Sequence, residues 1–468
     1  MKYTMEHSSI LLSVGKWTLL SSLIGILVGT IVTIFLYILS FSETQGAALS
    51  FPIHYLLPLG LMTSVWLTKR FAPEAKGHGT EKVIEAVHKR NSRIDVKVIP
   101  IKLIATIITL ATGGSAGKEG PGAQIGAGTA AFFAEMFHFS DIDRRKMVIC
   151  GIGAGFATVF GTPIAGAIFG IEVLIVGAIV YEVLLPSFVA GFSAFFTAQY
   201  LGVHYTYYDI SYFQHYFIDI VLILKVILGG VFFGIVSYMV IATLKKTEKA
   251  VERIPVNGYM KAFVAGLILI ALSAIFGDHY FGLGLDTITK TMTIEQDMHN
   301  TLPWYSFIVK IFYTAMTLGS GGSGGIVTPI FYIGATSGHW FGGLFGGEHQ
   351  LALFAALGFV SVLAGTTNAP IAATVMAMEL FGMDIAHYAA VSIVISFLIA
   401  GHRSVFPSQK IIMKKSDLLS VDYGDDIEHS TVTLDDEQKK NIDSIYKNIQ
   451  RKRKLYRKIR SFNRKKRS

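Results

Sequence analysis

The chain has 468 residues, of which 52% are hydrophobic and only 16% charged, with a mean hydropathy of +0.51. That balance belongs to a multi-pass membrane protein and excludes an ordinary soluble enzyme. The net charge of +9 is unevenly spread: residues 439–468 carry 14 Lys and Arg against Asp443, about +13, which leaves the rest near −4.

In chain order, residues 1–15 form an N-terminal segment expected in the cytoplasm. Residues 18–42 then carry no charge, and about 20 apolar residues cross a bilayer. This stretch is too long for a signal-peptide h-region and lacks a small-residue cleavage site, so it reads as a span. Further apolar stretches cover 51–68, 147–180, 183–200, 216–244, 259–277, 303–347, 350–378 and 380–401. Several exceed one span or are cut by Gly-Pro clusters, which predicts about ten to fourteen helical segments, many short of a full crossing. The lone Cys150 lies in an apolar stretch and excludes an intramolecular disulfide framework. Asp219 and Lys225 stand six apart in another, share no helix face, and are assigned no role. The body ends near residue 409, and 410–468 is an acidic then basic tail with no folded regulatory domain expected. Nucleic-acid binding is one reading of the tail. A cytoplasmic end beside anionic lipid is the better one for a membrane protein, and no nucleic-acid partner is implied.

The most loaded segments repeat. Gly117-Lys118-Glu119-Gly120-Pro121 leads to Ile125-Gly126-Ala127, and 208 residues later Gly325-Ile326-Val327-Thr328-Pro329 leads to Ile333-Gly334-Ala335. Pro163-Ile164-Ala165 before Glu172 returns 207 residues on as Pro370-Ile371-Ala372 before Glu379. The repeats are expected over 16–190 and 191–409, and broken hydrophobic segments at matched places mark a transporter with its site between repeats. A helix that starts inside the membrane leaves free N–H groups and a partial positive charge there. Such ends survive where they meet an anion or line a polar cavity. Glycine admits the anion to the backbone, and proline in the first turn forfeits no needed donor. Neither segment spells a nucleotide-binding P-loop.

These residues resemble the CLC family of chloride channels and proton-coupled anion exchangers. Gly117–Pro121 is similar to the family's Gly-Lys/Arg-Glu-Gly-Pro motif and Gly325–Pro329 to its Gly-x-Phe-x-Pro motif. Residues 70–79, ending in Gly77-His78-Gly79, resemble the stretch that ends in Gly-Ser-Gly-Ile-Pro. Residues 161–172 resemble the segment before the internal proton site. The resemblance implies an all-α, inverted-repeat membrane fold with many broken and tilted helices, and a homodimer with one anion pathway per subunit. It implies no cofactor, no metal and no catalytic residue.

By the same resemblance the anion sits against Gly77, His78, Gly79, Gly117, Lys118, Gly120, Gly325, Ile326, Val327 and Thr328, with Phe406 where the family has its inner-gate tyrosine. Glu119 is the gating glutamate: an ionisable group in an apolar body is functional by default, and a carboxylate resting on the anion site must leave it when protonated or displaced. The alternative is a plain cap on its own helix start. Lys118 either raises the local potential or snorkels to the interface. His78 replaces the anion-coordinating serine and either donates an N–H or turns aside. Thr328 donates to the anion or satisfies its own helix start. The internal proton glutamate falls at Val173, which carries no proton, and this leans toward passive flow. Glu172 and Glu379 read best as matched helix-end carboxylates bonded to backbone N–H groups.

The expected function is transport of small inorganic anions, chloride first, through a multi-pass protein of the cell membrane, with protons as a further partner. The first alternative keeps the fold and exports fluoride, on the missing serine, the run Gly79-Thr80-Glu81-Lys82 and the pair Val327-Thr328. An organic-solute transporter would need side-chain anchors where glycine dominates. A membrane enzyme would need a catalytic cluster, and there is no His-Glu-x-x-His and no cysteine pair.

Overall fold

The computed structural model describes residues 2–48, 50–208, 219–293, 302–345 and 348–435. The basic stretch expected near lipid lies outside the described residues. The first eight helices are α1 (Lys2–Ala47), α2 (Leu57–Phe71), α3 (Gly79–Lys89), α4 (Val98–Ala111), α5 (Glu119–Met136), α6 (Asp141–Phe160), α7 (Pro163–Glu172) and α8 (Leu184–Tyr200). The second eight are α9 (Ile220–Arg253), α10 (Gly258–Phe276), α11 (Leu285–Met292), α12 (Ser306–Gly319), α13 (Val327–Phe345), α14 (Glu348–Thr367), α15 (Pro370–Phe381) and α16 (Ala386–Ala400). Each helix of the first set has its counterpart, in order, in the second.

This is an all-α, multi-pass membrane fold. Among the described residues, six helical stretches, Glu6–Gly46, Tyr181–Tyr200, Ile220–Arg253, Gly258–Phe276, Gln350–Thr367 and Met383–Ala400, are long and apolar enough to cross a bilayer. Among the described residues the helices outnumber the sequence expectation because α3, α4, α5 and α11 lie outside the long apolar stretches, while the longest runs split at their Gly-Pro clusters as expected. Gly161 takes a left-handed φ of 72° after α6, and Pro163 starts α7 at a position that needs no N–H. Asn368, at φ 58°, and Pro370 divide α14 from α15 in the same way. Residue 190, where the first repeat was expected to end, lies inside α8.

The duplication reaches further upstream than the two blocks first noticed. Helices α4 and α12 both end in a Gly-Gly-Ser turn, with Gly113 at φ 94° and Gly321 at φ 104°. The Gly114 N–H closes on Thr109 O at 2.8 Å, and the Gly322 N–H on Thr317 O at 3.0 Å. Both copies spell Gly-x-Ser-x-Gly. Yet Ser115 Oγ lies 3.0 Å from Thr314 Oγ1 and Ser323 Oγ 3.3 Å from Thr106 Oγ1, so each hydroxyl ties its turn to the other repeat. That is a strut, not a nucleophile beside a base. Packing repeats as well: a Cβ on Gly126 would run into the Gly151 carbonyl of α6, and one on Gly334 into the Gly358 carbonyl of α14.

Beyond α16 the chain folds back onto the body. Strand β1 (Ile175–Val176), just after α7, pairs in parallel with β2 (Lys410–Ile411), and β3 (Leu419–Val421) pairs antiparallel with β4 (Val432–Leu434). The Lys415 ammonium donates to the Phe397 and Gly401 carbonyls, each at 2.7 Å, and so caps α16. Lys89 and Asp426 form an ion pair at 2.7 Å. Composition reads this acidic stretch as loosely surface-lying or partly disordered; up to Asp435 it is a docked strap. Asp219 finds a role too, as the N-cap of α9, accepting from the Val221 N–H at 2.9 Å.

Candidate functional site

Three helix starts meet in the interior. The N-termini of α5 and α13, from opposite repeats, are stitched by two backbone bonds: Gly117 N–H to Gly325 O at 2.7 Å and Gly325 N–H to Gly117 O at 2.6 Å. The start of α3 joins through Gly324 N–H to Gly77 O at 3.4 Å. The glycines here are required by contact. A Cβ on Gly79 would stand 2.5 Å from Gly120 O, and one on Gly325 would stand 2.8 Å from Gly120 N. Three partial positive charges therefore converge in the interior.

Glu119 is fully buried. Its carboxylate lies beside its own N–H at the start of α5 and reaches further. It crosses to the other repeat, where Thr328 N–H donates to Oε2 at 3.1 Å and the Thr328 hydroxyl donates to Oε1. The carboxylate thus stands in for an anion at the N-terminus of α13. Both donors of Thr328 thus serve the carboxylate of Glu119. Ile326 and Val327 are buried beside it.

At the other end of the cluster, His78 is the N-cap residue of α3 and its Nδ1 is buried without a hydrogen-bond partner among the described residues. Its ring centroid lies 6.0 Å from that of Phe406, which is fully buried. The structure therefore brings Phe406 to the Gly77–Gly79 corner. Lys118 is half-buried at the start of α5. Val173 is buried, and its carbonyl accepts from Gln409 Nε2 at 2.8 Å, so that position is filled by backbone bonding.

Glu172 and Glu379 are the helix-end carboxylates the sequence suggests, exchanged between repeats. Glu172, ending α7, accepts from Ile371 N–H at 3.0 Å and Ala372 N–H at 2.8 Å, at the start of α15. Glu379, in α15, accepts from Ile164 N–H at 3.0 Å and Ala165 N–H at 2.8 Å, at the start of α7.

Two features were missed in the sequence. Lys102 is buried in α4 and donates to the carbonyls of Ala75, at 3.1 Å, and Gly77, fixing the corner before α3. Lys310, 208 residues later, does the same for Tyr280 at 3.0 Å and Gly282 at 2.8 Å before α11. A lysine in an apolar segment at the repeat offset was a readable signal. Glu81, in the first turn of α3, binds Ser408 just beyond Phe406; a contact spanning that much sequence leaves no local trace.

A membrane body built from two repeats, with broken helices aiming their N-termini at one buried carboxylate, defines an anion-transport protein of inverted-repeat architecture. The voltage gated chloride channel family model matches residues 60–401, so the chain belongs to that CLC family. A "Chloride/fluoride channel protein" of Pseudomonas syringae pv. tomato is 32% identical over 413 residues, covering 87% of this chain and 89% of the relative. An "H(+)/Cl(-) exchange transporter ClcA" of Vibrio vulnificus is 25% identical, covering 80% and 84%. Among solved structures, a "CLC-type fluoride/proton antiporter" is similar with a TM-score of 0.79 and 29% identity, covering 85% of this chain and 98% of that one.

Proposed function

We propose that each subunit of this protein conducts a small halide anion past Glu119, linked to proton movement, with fluoride the favoured ion. The observation that carries the reading is the carboxylate of Glu119 held on Thr328 at the start of α13. A group that occupies an anion site by its own negative charge vacates it on protonation or when an anion replaces it. Proton uptake and anion entry then become alternatives at one place.

Fluoride is favoured by the site's donors. Main-chain N–H groups and the Thr328 hydroxyl are compact and strong, and they suit a small, strongly hydrated anion that must exchange its water for equally good donors. The names of the Pseudomonas relative and of the antiporter structure agree with that choice. Chloride, the first expectation from sequence, keeps the support of the Vibrio relative's name and of the Lys-Glu-Gly-Pro motif. In this reading Phe406 closes the inner end, His78 presents its unpartnered nitrogen to the passing ion, and Lys118 enriches anions at the entrance. The protein works as a homodimer in the cell membrane, with its basic tail on the cytoplasmic side near anionic lipid.

The test is purified protein in liposomes loaded with fluoride or chloride, external anion and pH being recorded together. The expected result is fluoride efflux with proton uptake and slower chloride efflux. Chloride flux equal to or faster than fluoride flux overturns the ion preference, and efflux without proton movement overturns the coupling. Glu119→Gln should change flux strongly and abolish its pH dependence; parental behaviour of that variant removes Glu119 from the gate.

A further inference from the structure

Some helix starts inside the body are closed and others are open. Glu119 closes α13, Glu172 closes α15 and Glu379 closes α7, each with a carboxylate from the opposite repeat. The start of α3, beside Phe406, has no side-chain cap, and neither has that of its counterpart, α11. In α11 the first internal bond runs from Ile288 N–H to Gly284 O at 3.2 Å, which leaves over the N–H groups of Leu285, Asp286 and Thr287.

The α11 corner is built like the α3 corner and adds a donor. Lys310 holds it by two neutral carbonyls, as Lys102 does before α3, and no carboxylate pairs with the Lys310 ammonium among the described residues. A Cβ on Gly284, the N-cap residue, would stand 3.5 Å from Lys310 Nζ and 2.5 Å from Tyr332 Cδ2. The ammonium, the helix start and the tyrosine ring therefore meet at one point. Tyr332 is fully buried, and its hydroxyl has no hydrogen-bond partner among the described residues. Its ring runs along the first turn of α11, from Gly284 towards Thr287, whose side chain the hydroxyl faces. An orphaned buried hydroxyl is costly unless something accepts from it. Gly284 and Thr287 are partly exposed and Leu285 and Asp286 exposed, so this turn is reached from the surface.

We propose that the start of α11 is an outer anion-binding site, where a small inorganic anion accepts from the Tyr332 hydroxyl and the leftover first-turn N–H groups beside the Lys310 ammonium. Everything that converges there is a donor or a positive charge, so the ligand is an anion. The face follows from the fold: α3 opens on the side of Phe406, and inversion of the repeat turns α11 to the opposite side. Glu43 of α1 feels the charge of both Asp286 and Lys118, which sets the α11 start on the side of the gate where Lys118 stands. Lys310 and Lys118 favour the anion, whereas Asp286 and Glu43 oppose it and keep its hold weak enough for release. The site gives the ion a halt outside Glu119, matching across the membrane the corner that His78 and Lys102 form.

This inference rests on anion passage past Glu119, and the experiment separates the two. Parent, Tyr332→Phe and Asp286→Asn are reconstituted in liposomes in one orientation, and fluoride flux is measured against outer and inner fluoride in turn. Phenylalanine keeps the ring on Gly284 and drops a donor to a charged ligand, so half-saturating outer fluoride should rise roughly tenfold. Asp286→Asn removes a negative charge from the same turn and should lower it roughly two- to fivefold. Half-saturating inner fluoride stays parental in both, which a general packing defect would not spare. An unchanged outer value in Tyr332→Phe overturns the site, as does an equal shift on both faces. If Tyr332→Phe does not fold, as judged by gel filtration, an unshifted Asp286→Asn overturns it. Fluoride and chloride titrated calorimetrically into purified parent and Tyr332→Phe read the site without transport. A binding component that weakens in the variant supports it even if the parent moves no anion, a result that overturns the transport reading alone; identical isotherms overturn the site.

Discussion

The Thr328 hydroxyl is the donor to the gate that mutagenesis can remove, since the companion N–H belongs to the backbone. A hydrogen bond to a buried charge contributes about 1.5–3 kcal/mol, so its loss should weaken the seat of Glu119 by roughly 10- to 100-fold. Thr328→Val keeps the shape and drops the hydroxyl. We expect flux to lose part of its pH dependence, because a looser carboxylate holds the site less firmly, and the fluoride-over-chloride ratio to fall with the lost donor. Glu119→Gln should erase the difference in pH dependence, so a double-mutant cycle over parent, both singles and the double variant measures the coupling. Additive effects would mean that the bond plays no part in gating. His78→Ala tests the unpartnered nitrogen: if the buried, neutral ring meets the ion, the variant lowers flux alike across about pH 5 to 8. Flux equal to the parent's makes His78 only the neighbour of Phe406.

Glu172 and Glu379 each close two N–H groups at a helix start in the opposite repeat. Replacing either by alanine leaves two helix-start donors unpaired, at about 1–3 kcal/mol for each that is buried. Both variants should melt several degrees lower in detergent by scanning fluorimetry while keeping the parental proton-to-anion ratio. A changed ratio in the Glu172 variant would make it a proton carrier instead. The strap offers a test in acid. Asp422 accepts from Thr431 N–H at 3.2 Å and from its hydroxyl, and those bonds hold its carboxyl below the ordinary aspartate value of 3.8. Its support of the β3–β4 hairpin is therefore complete above that value and is lost as pH falls through the lower, folded one. Exchange of the Val432–Leu434 amides should speed up in that acid window in the parent, and already at neutral pH in Asp422→Asn. Glycine and proline announce helix ends, so the breaks at 161–163 and 368–370 were legible. Which carboxylate closes which helix was not, because helix crossing rather than sequence distance sets it. Strands of two residues such as β1 and β2 carry no readable alternation.

At the scale of the molecule, the duplicated frame is symmetric in backbone and asymmetric in chemistry. Glu119 faces a valine at the matching place of the second copy, and Gly120 faces Thr328, so one repeat supplies the carboxylate and the other its donors. That division was visible in the sequence as an offset, but the contact across it was not: two helix starts 208 residues apart are joined only by folding. The groups gathered there come from α3, α5, α13 and the Phe406 segment. In the proposed homodimer each chain carries its own gate, so the pathways should work independently. The measurement is a dimer purified through two different tags, with one parental subunit and one Glu119→Gln subunit. Independent pathways give about half the parental pH-dependent flux per dimer, with the remainder following the variant. Flux that matches either homodimer would mean that one gate commands both, and the site would then have to be redrawn across the interface.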